Sequence, residues 1–228
     1  MLSQLKKDLA AKGRKEKVAV YSNFFKTGKG QYGEGDIFIG STVPDTRSVA
    51  SSYKDLPFFD IRTLLHSKIH EERLCALLIL VYQFQKGNNQ KKIYEFYLKN
   101  TKRINNWDLV DSSADKIVGC YLFEKDKKIL CTLARSSNLW ERRIAIIATF
   151  YFIRNKQFED TLGVSEILLQ DKHDLIHKAV GWMLREVGKR DQNILETFLK
   201  KYYKIMPRTM LRYSIEKFSD PKKKFYMS

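Results

Sequence analysis

The chain of 228 residues has little cysteine, histidine or proline, and it contains no long apolar run. Its three cysteines form no CxxC pair, which favours reduced thiols in a cytoplasmic protein over a disulfide framework. The longest apolar stretch, residues 74–84, is far shorter than the roughly 20 residues of a membrane span. The N-terminus lacks the apolar core of a signal peptide. We therefore predict a cytoplasmic protein with no membrane association.

Acidic residues are also scarce, because 26 Asp and Glu face 42 Lys and Arg and leave a net charge of +16. So large a positive charge favours a polyanionic partner, which could be DNA, RNA or an anionic membrane surface. The alternative is a generic basic surface with no specific ligand. The charge balance favours a protein that binds nucleic acid.

Motifs for metal or cofactor binding are weak. His173 and His177 are four residues apart, as are His66 and His70, but neither pair has a third ligand nearby in sequence. GKGQYG, Gly28–Gly33, matches GxGxxG, but a helical pattern precedes it and no helix follows, so a dinucleotide site is excluded. We predict no metal, no cofactor, and a loop between helices at this motif.

Proline is rare and apolar residues recur with helical period along the whole chain, which predicts an all-α protein. Only residues 36–43 look extended, and we interpret them as a loop. One domain is expected over 1–228, with an irregular loop at 28–43 and a short basic tail at 219–228. The predicted helices are 2–12, 15–25, 44–54, 58–66, 70–86, 89–103, 107–123, 127–135, 139–155, 157–169, 174–189, 191–204 and 207–217.

Three segments resemble one another: ERLCALLILVY, ERRIAIIATFYF and IHKAVGWMLREV. Aligning them places Leu74, Arg143 and Lys178 in matching positions, which indicates a repeat of about 35 residues with one unit skipped. Repeated helix pairs that stack on their neighbours form an α-solenoid. We therefore predict HEAT-like helical repeats whose second helices line a concave basic groove. Trp182, four residues after Lys178, would face that groove.

One period before Arg143 falls in NNWDLVDSSA, residues 105–114. If this stretch is helical, Trp107 and Asp111 share one face because they are four residues apart. A helix cap or a surface ion pair is the ordinary role of such an aspartate. A carboxylate in a basic groove weakens the binding of phosphate, so its presence there indicates a chemical role. Trp107 and Trp182 could contact a sugar, or a positively charged base through cation–π attraction.

These motifs resemble the bacterial AlkD-type DNA alkylation-repair glycosylases, which are built from HEAT-like repeats. The resemblance runs over most of the chain, and four segments carry it: GDIFIGSTVPDTRSVASSY at 36–53, NNWDLVDSSA at 105–114, NLWERRIAIIATF at 138–150 and HKAVGWMLREVGKR at 177–190. It implies that Asp111 is the catalytic carboxylate and that Trp107 and Trp182 flank the lesion. Thr42 stands where the best-known members carry glutamine, and Asn106 precedes the tryptophan where an aromatic residue can occur.

The resemblance further implies that Arg143 holds the DNA backbone and that Tyr21 lies near the DNA. We also expect Thr42, Lys178 and Arg185 to contact DNA. The expected partner is double-stranded DNA containing alkylated purines, bound by a monomer that associates with the bacterial nucleoid. The resemblance also implies that the base need not be flipped into a pocket, unlike in most glycosylases.

The predicted function is that of a DNA N-glycosylase, a hydrolase of base excision repair that releases positively charged N3- or N7-alkylated purines. Such a base is a good leaving group, so the site needs no general acid. Asp111 would stabilise the oxocarbenium-like transition state and help to position water. The alternative is a non-catalytic HEAT-like module that binds nucleic acid or a protein.

Overall fold

The computed structural model describes residues 1–87 and 89–228, which divide into two compact units, residues 1–113 and 114–228. The described residues contain helices and turns but no strand. The one strand-like feature among them is a bridge between Ile37 and Ile69. Residues 36–42 are irregular, and Val43, the last residue of the predicted loop 36–43, begins a helix. One repeat domain over the whole chain stays a prediction.

The described residues of the first unit form seven α-helices, one of which is a buried central helix. Their bounds are α1 Leu2–Ala11, α2 Lys15–Phe24, α3 Val43–Ser52, α4 Phe58–Leu65, α5 His70–Gln85, α6 Gln90–Lys99 and α7 Trp107–Asp111. Helix α5 is central because its first twelve residues are all buried, and it packs against α1, α3, α4, α6 and α7. A 3₁₀ turn, Thr101–Arg103, leads into α7.

The second unit begins with a π-helical turn, Asp115–Gly119, and continues with nine α-helices among its described residues. Their bounds are α8 Cys120–Leu122, α9 Lys128–Ala134, α10 Leu139–Ala148, α11 Phe150–Arg154, α12 Glu159–Ile167, α13 Asp174–Gly188, α14 Gln192–Tyr202, α15 Arg208–Ser214 and α16 Asp220–Met227. Helix α13 is the centre of this unit and packs against α10, α11, α12, α14 and α15. Segment 219–228, predicted to be a basic tail, is therefore mostly helical.

Two helices predicted as continuous are interrupted at hydroxyl residues. The predicted helix 107–123 breaks after α7, where Ser113 Oγ donates to Leu109 O over 2.6 Å. The predicted helix 139–155 breaks at Thr149, where Oγ1 donates to Ile146 O over 2.7 Å. A hydroxyl bonded to the preceding turn competes with the regular helix ladder and bends the backbone. Sequence periodicity does not detect this competition, because apolar spacing continues through both breaks.

Side-chain caps set the start of several helices. Thr42 accepts from Asp45 N at the start of α3, and Asn138 accepts from Trp140 N at the start of α10. Such caps satisfy backbone N–H groups that have no partner within the helix. No helix among the described residues is long and apolar enough to cross a membrane.

Candidate functional site

Trp107 is the first residue of α7, and Asn106 caps that helix by accepting from Trp107 N over 2.8 Å. The indole is half-buried, and its ring stacks on Phe25 with centroids 5.3 Å apart and planes at 19°. Phe24, at the end of α2, meets the same indole edge-on at 5.6 Å and is 59% exposed. The tryptophan is therefore supported from inside the unit and keeps a surface open to a ligand.

The stack continues inward through a second phenylalanine to a histidine. Phe25 stacks on Phe38 at 5.0 Å, and Phe38 stacks on His70 at 4.6 Å. Trp107 begins α7, Phe25 follows α2, Phe38 comes from the 36–42 loop and His70 begins α5, so four parts of the first unit meet in this stack. Offset stacked rings are each worth about 0.5–1.5 kcal/mol beyond the area they bury. The orientation of Trp107 is thereby tied to the core.

A buried ion network lies against this stack, and it consists of Asp36, His70, Arg73 and Asp108. His70 lies between two carboxylates, with Nδ1 3.0 Å from Asp36 Oδ2 and Nε2 2.8 Å from Asp108 Oδ2. Arg73 Nη2 donates to Asp36 Oδ1 over 2.7 Å. The four side chains are at most 9% exposed. Because Asp108 is in α7, the network joins the loop and α5 to the helix that carries Trp107 and Asp111.

Burial alone would lower the pKa of His70, but the charge and hydrogen bond of Asp108, together with the hydrogen bond of Asp36, raise it to about 9. Burial opposes ionisation of Asp36 as well, but bonding to His70 and the charge of Arg73 hold its pKa below the usual value. His70 is consequently an imidazolium at neutral pH. Buried charges of this kind are stable only as a paired set.

The two aspartates of α7 have different environments. Asp108 is 7% exposed and bonded to His70, whereas Asp111, at the last position of α7, is half-buried. Asp111 follows Trp107 by one helical turn, so the two side chains project from the same face. This face of α7, with Trp107 and Asp111, is called the reactive face below.

Trp182 lies in the second unit, on α13, and is also half-buried. Its ring is 5.8 Å from that of Phe150, and the guanidinium groups of Arg154 and Arg190 lie 4.8 and 6.0 Å from the centre of the Phe150 ring. The preceding Gly181 is needed for packing, because a Cβ there would lie 2.5 Å from Met210 O in α15. Trp182 and its phenylalanine therefore form an aromatic surface rimmed by two cations.

A family model described as DNA alkylation repair enzyme matches residues 5–218, nearly the whole chain. The chain belongs to this family. No curated protein sequence gives a significant match.

Three solved structures resemble this family member in fold. A predicted DNA alkylation repair enzyme from Enterococcus faecalis superposes with a TM-score of 0.71 at 15% identity, and the match covers 92% of this chain and 98% of that one. AlkD2 from Streptococcus mutans gives 0.58 at 19% identity, with 96% and 97% covered. The protein smu.31 from Streptococcus mutans UA159 gives 0.57 at 19% identity, with 96% and 98% covered. The predicted all-α fold of helical repeats is confirmed, and the concave basic groove stays a prediction.

Within the first unit of this family member, Tyr21 and Thr42 are the two residues predicted to contact DNA. Tyr21 is half-buried, with its ring edge-on to Phe38 at 6.0 Å, and burial raises the pKa of its hydroxyl. Thr42 caps α3 and donates from Oγ1 to Asp45 over 2.6 Å. Both residues therefore have structural contacts, and their roles toward DNA stay predictions.

The other predicted DNA contacts, Arg143, Lys178 and Arg185, lie in the second unit. Arg143 is 5% exposed and donates from Nη1 to Leu175 O over 2.6 Å. Lys178 pairs with Asp174 at 2.7 Å on the surface of α13. Arg185 pairs with Glu216. Of the three side chains, that of Lys178 is the most exposed and that of Arg143 is the most buried. Their contacts with DNA stay predictions.

The histidine pairs have other partners in this structure. His173 caps α13 by accepting from Leu175 N over 3.1 Å, and His66 lies 3.2 Å from Asn100 Oδ1. The part of the chain that the structure describes contains no cluster of three or more potential metal ligands.

Sequence reasoning missed the support behind Trp107, namely Asp36, His70, Arg73, Phe25 and Phe38. One signal was available, because α5 begins with four consecutive polar or charged residues, His70–Arg73, directly before an apolar run. Such residues are rarely buried without partners, so their position predicts ion pairs. Their partners, 34 and 38 residues away from His70, are not recognisable by spacing alone.

Proposed function

We propose that the protein is a DNA N-glycosylase that releases N3- or N7-alkylated purines from duplex DNA. Family membership supports alkylation repair, and the net charge of +16 supports binding to DNA. The single observation that supports base release, as distinct from DNA binding, is the arrangement of Trp107 and Asp111 on the reactive face. This face presents a half-buried aspartate one turn from a braced, half-buried tryptophan.

The chemistry requires few groups. The bond between C1′ of the deoxyribose and the alkylated purine breaks, and its electron pair neutralises the positive charge of the base. The sugar becomes oxocarbenium-like, and water then adds at C1′ and loses a proton, which leaves a free base and an abasic site. Asp111 stabilises the cationic sugar electrostatically and orients the water. Trp107 and Trp182 pack against the damaged nucleotide.

A carboxylate opposes the binding of phosphate, so its placement beside an aromatic residue needs a compensating function. Asp108 has such a function in the ion network, because it pairs with His70. For Asp111 the proposed compensation is catalytic, since a negative charge favours the transition state over the ground state. The DNA contacts proposed for Arg143, Tyr21, Thr42, Lys178 and Arg185 supply the opposing attraction.

Base release from DNA treated with a simple methylating agent tests this proposal. The wild-type protein should release methylated purines, and Asp111→Asn should lower the single-turnover rate about 10²–10³-fold while binding to DNA is kept. Asp220→Asn is the matched control, because Asp220 is 95% exposed in a helix at the other end of the chain, and it should excise normally. Tight binding of DNA without base release by the wild type would favour the non-catalytic module.

A further inference from the structure

A small cavity in the first unit has four cationic residues in its lining and is called the basic cavity below. Lys68, Arg73, Lys102 and Arg103 line it, together with the carboxylates of Glu34 and Asp36. These residues come from the loop after α2, the start of α5 and the 3₁₀ turn before α7. The cavity therefore collects positive charge from three segments that are distant in sequence.

Both carboxylates of the basic cavity already have partners. Asp36 is bonded to Arg73 and His70, and Glu34 Oε2 accepts from Gly30 N over 2.7 Å. Lys68, Lys102 and Arg103 are exposed, and their side chains form no ion pair or hydrogen bond with the residues that the structure describes. The uncompensated charge at the cavity is accordingly positive, which favours an anion.

Buried polar atoms at the same place also point to a ligand. Arg73 is 3% exposed, and its Nη1 donates to Ser67 O and Lys68 O, but its Nε has no partner within the described structure. Asn105 Oδ1 is a second buried atom without one, but it is an acceptor and cannot bond to a phosphate, so the donor Arg73 Nε is the atom that favours an anion. A buried polar group without a hydrogen bond costs about 1–3 kcal/mol, so such atoms mark places where a ligand adds bonds.

The volume of the basic cavity, about 180 Å³, limits what can enter it. Pockets for drug-sized ligands start at about 300 Å³, so a whole nucleotide would not fit inside. A single phosphate group is small enough, and lysine and arginine are its usual partners.

We propose that the basic cavity binds one phosphate group, and that this group is a backbone phosphodiester of the DNA. The choice of DNA rests on the proposed function, whereas the preference for phosphate rests on the cavity alone. Lys102, Arg103 and Asn105 lie five, four and two residues before Trp107 in sequence. A phosphate held here would place the DNA strand beside the start of α7 and so present a nucleotide to the reactive face.

The salt dependence of binding to undamaged duplex tests the DNA part of this inference. The variant Lys102→Gln/Arg103→Gln should flatten the log–log slope of affinity against salt by about one unit, because one phosphate contact is lost. The control Lys7→Gln/Lys54→Gln removes the same charge at exposed lysines of the first unit outside the cavity, and it should change the slope little. Equal changes in both variants would overturn the backbone contact.

Inorganic phosphate separates the two possible sources of the anion. At equal ionic strength, phosphate should raise the melting temperature of the wild type above its value in chloride, and the cavity variant should lose this rise. A rise that depends on the cavity, combined with an unchanged DNA slope, would overturn the backbone assignment and assign the cavity to free phosphate. No rise and no change in slope would overturn the phosphate site altogether.

Neither measurement depends on base release, so the two proposals can fail separately. A wild-type protein that contacts DNA through the basic cavity but releases no methylated base contradicts the proposed glycosylase alone. A protein that releases bases while the cavity variant behaves as its control contradicts the cavity alone.

Discussion

The two half-buried tryptophans, Trp107 and Trp182, are supported in different ways. Behind Trp107 lies a stack of rings that ends on a histidine between two buried carboxylates. Beside Trp182 lies one phenylalanine whose ring is flanked by Arg154 and Arg190, both exposed. The first tryptophan is thus supported by a ring stack that ends at buried charges, and the ring beside the second is flanked by charges at the surface.

Under the proposed function, the surroundings of Trp107 suit catalysis and those of Trp182 suit DNA binding. A group that stabilises a transition state must be held in place before the reaction. The buried network would provide that rigidity for α7, and so for Asp111 in its proposed role. A surface that holds a polyanion needs exposed cations and aromatic faces, which the environment of Trp182 provides. We therefore expect changes behind Trp107 to affect stability and catalysis, and changes around Trp182 to affect binding as well.

The largest expected effect comes from removing the histidine behind Trp107. In His70→Gln, Asp36 and Asp108 lose their shared cation, and breaking a buried ion pair in this way costs about 3–5 kcal/mol of folding free energy. His66→Gln is the matched control, because His66 is exposed, and its stability should change little. Chemical unfolding of the three proteins measures both values.

The wild type and His70→Gln also test how the stability contributed by the network depends on pH. Because the pKa of His70 is raised to about 9 in the folded protein, its contribution to stability is complete below the ordinary value of about 6.5. That contribution is lost as the pH rises from 6.5 through 9. The melting temperature of the wild type should therefore fall over this range more steeply than that of His70→Gln. Parallel curves would show that His70 carries no extra proton in the folded state.

A smaller effect is expected when either tryptophan is shortened. Trp107→Ala and Trp182→Ala should each lose roughly 1–3 kcal/mol of contact with the damaged nucleotide, so that excision weakens more than binding to undamaged duplex. Trp182→Ala should weaken that binding more than Trp107→Ala does, because the ring beside Trp182, that of Phe150, is flanked by the guanidinium groups of Arg154 and Arg190. The comparison between the two sites fails if excision and binding fall equally in both variants. Trp140→Phe, a change at a buried tryptophan, controls for general loss of packing.

The smallest effect is expected at a single surface lysine of the second unit. If about five phosphates are contacted, the salt slope of binding should be near −4 to −5, and Lys178→Gln should flatten it by about one unit. The i,i+4 pair of Lys178 with Asp174 is worth only about 0.3–0.5 kcal/mol, so stability should hardly change. Lys201→Gln, at another paired surface lysine, serves as the control. Identical slopes in both variants would remove Lys178 from the DNA contacts.

Helical period was sufficient to predict most of the fold, because each helix buries an apolar face whose spacing is visible in the sequence. The predicted bounds of α1 to α5 agree with the structure within two residues. Periodicity could not reveal the breaks at Ser113 and Thr149, because these depend on one hydroxyl bonded to the backbone. Helix α16 was missed because three consecutive lysines obscure its single buried residue, Tyr226.

The candidate site was predictable in its parts that lie close together in sequence. Trp107 and Asp111 are one turn apart on one helix, and spacing alone places them on one face. The partners of His70 could not be predicted, because a contact between side chains 34 and 38 residues apart depends on how the loop folds over α5. The predicted approach of Trp107 and Trp182 to one lesion likewise depends on tertiary structure, and it stays a prediction.

The most direct test of the central claim compares two duplexes that carry the same alkyl group at different places on guanine. N7-methylguanine carries a positive charge, whereas O6-methylguanine is neutral and would need a general acid to leave. In the proposed mechanism Asp111 stabilises the cationic sugar, and no group protonates the leaving base. The wild-type protein should therefore release only the charged base. Release of both bases at similar rates, or retention of N7-methylguanine in DNA that the protein binds, would contradict the account.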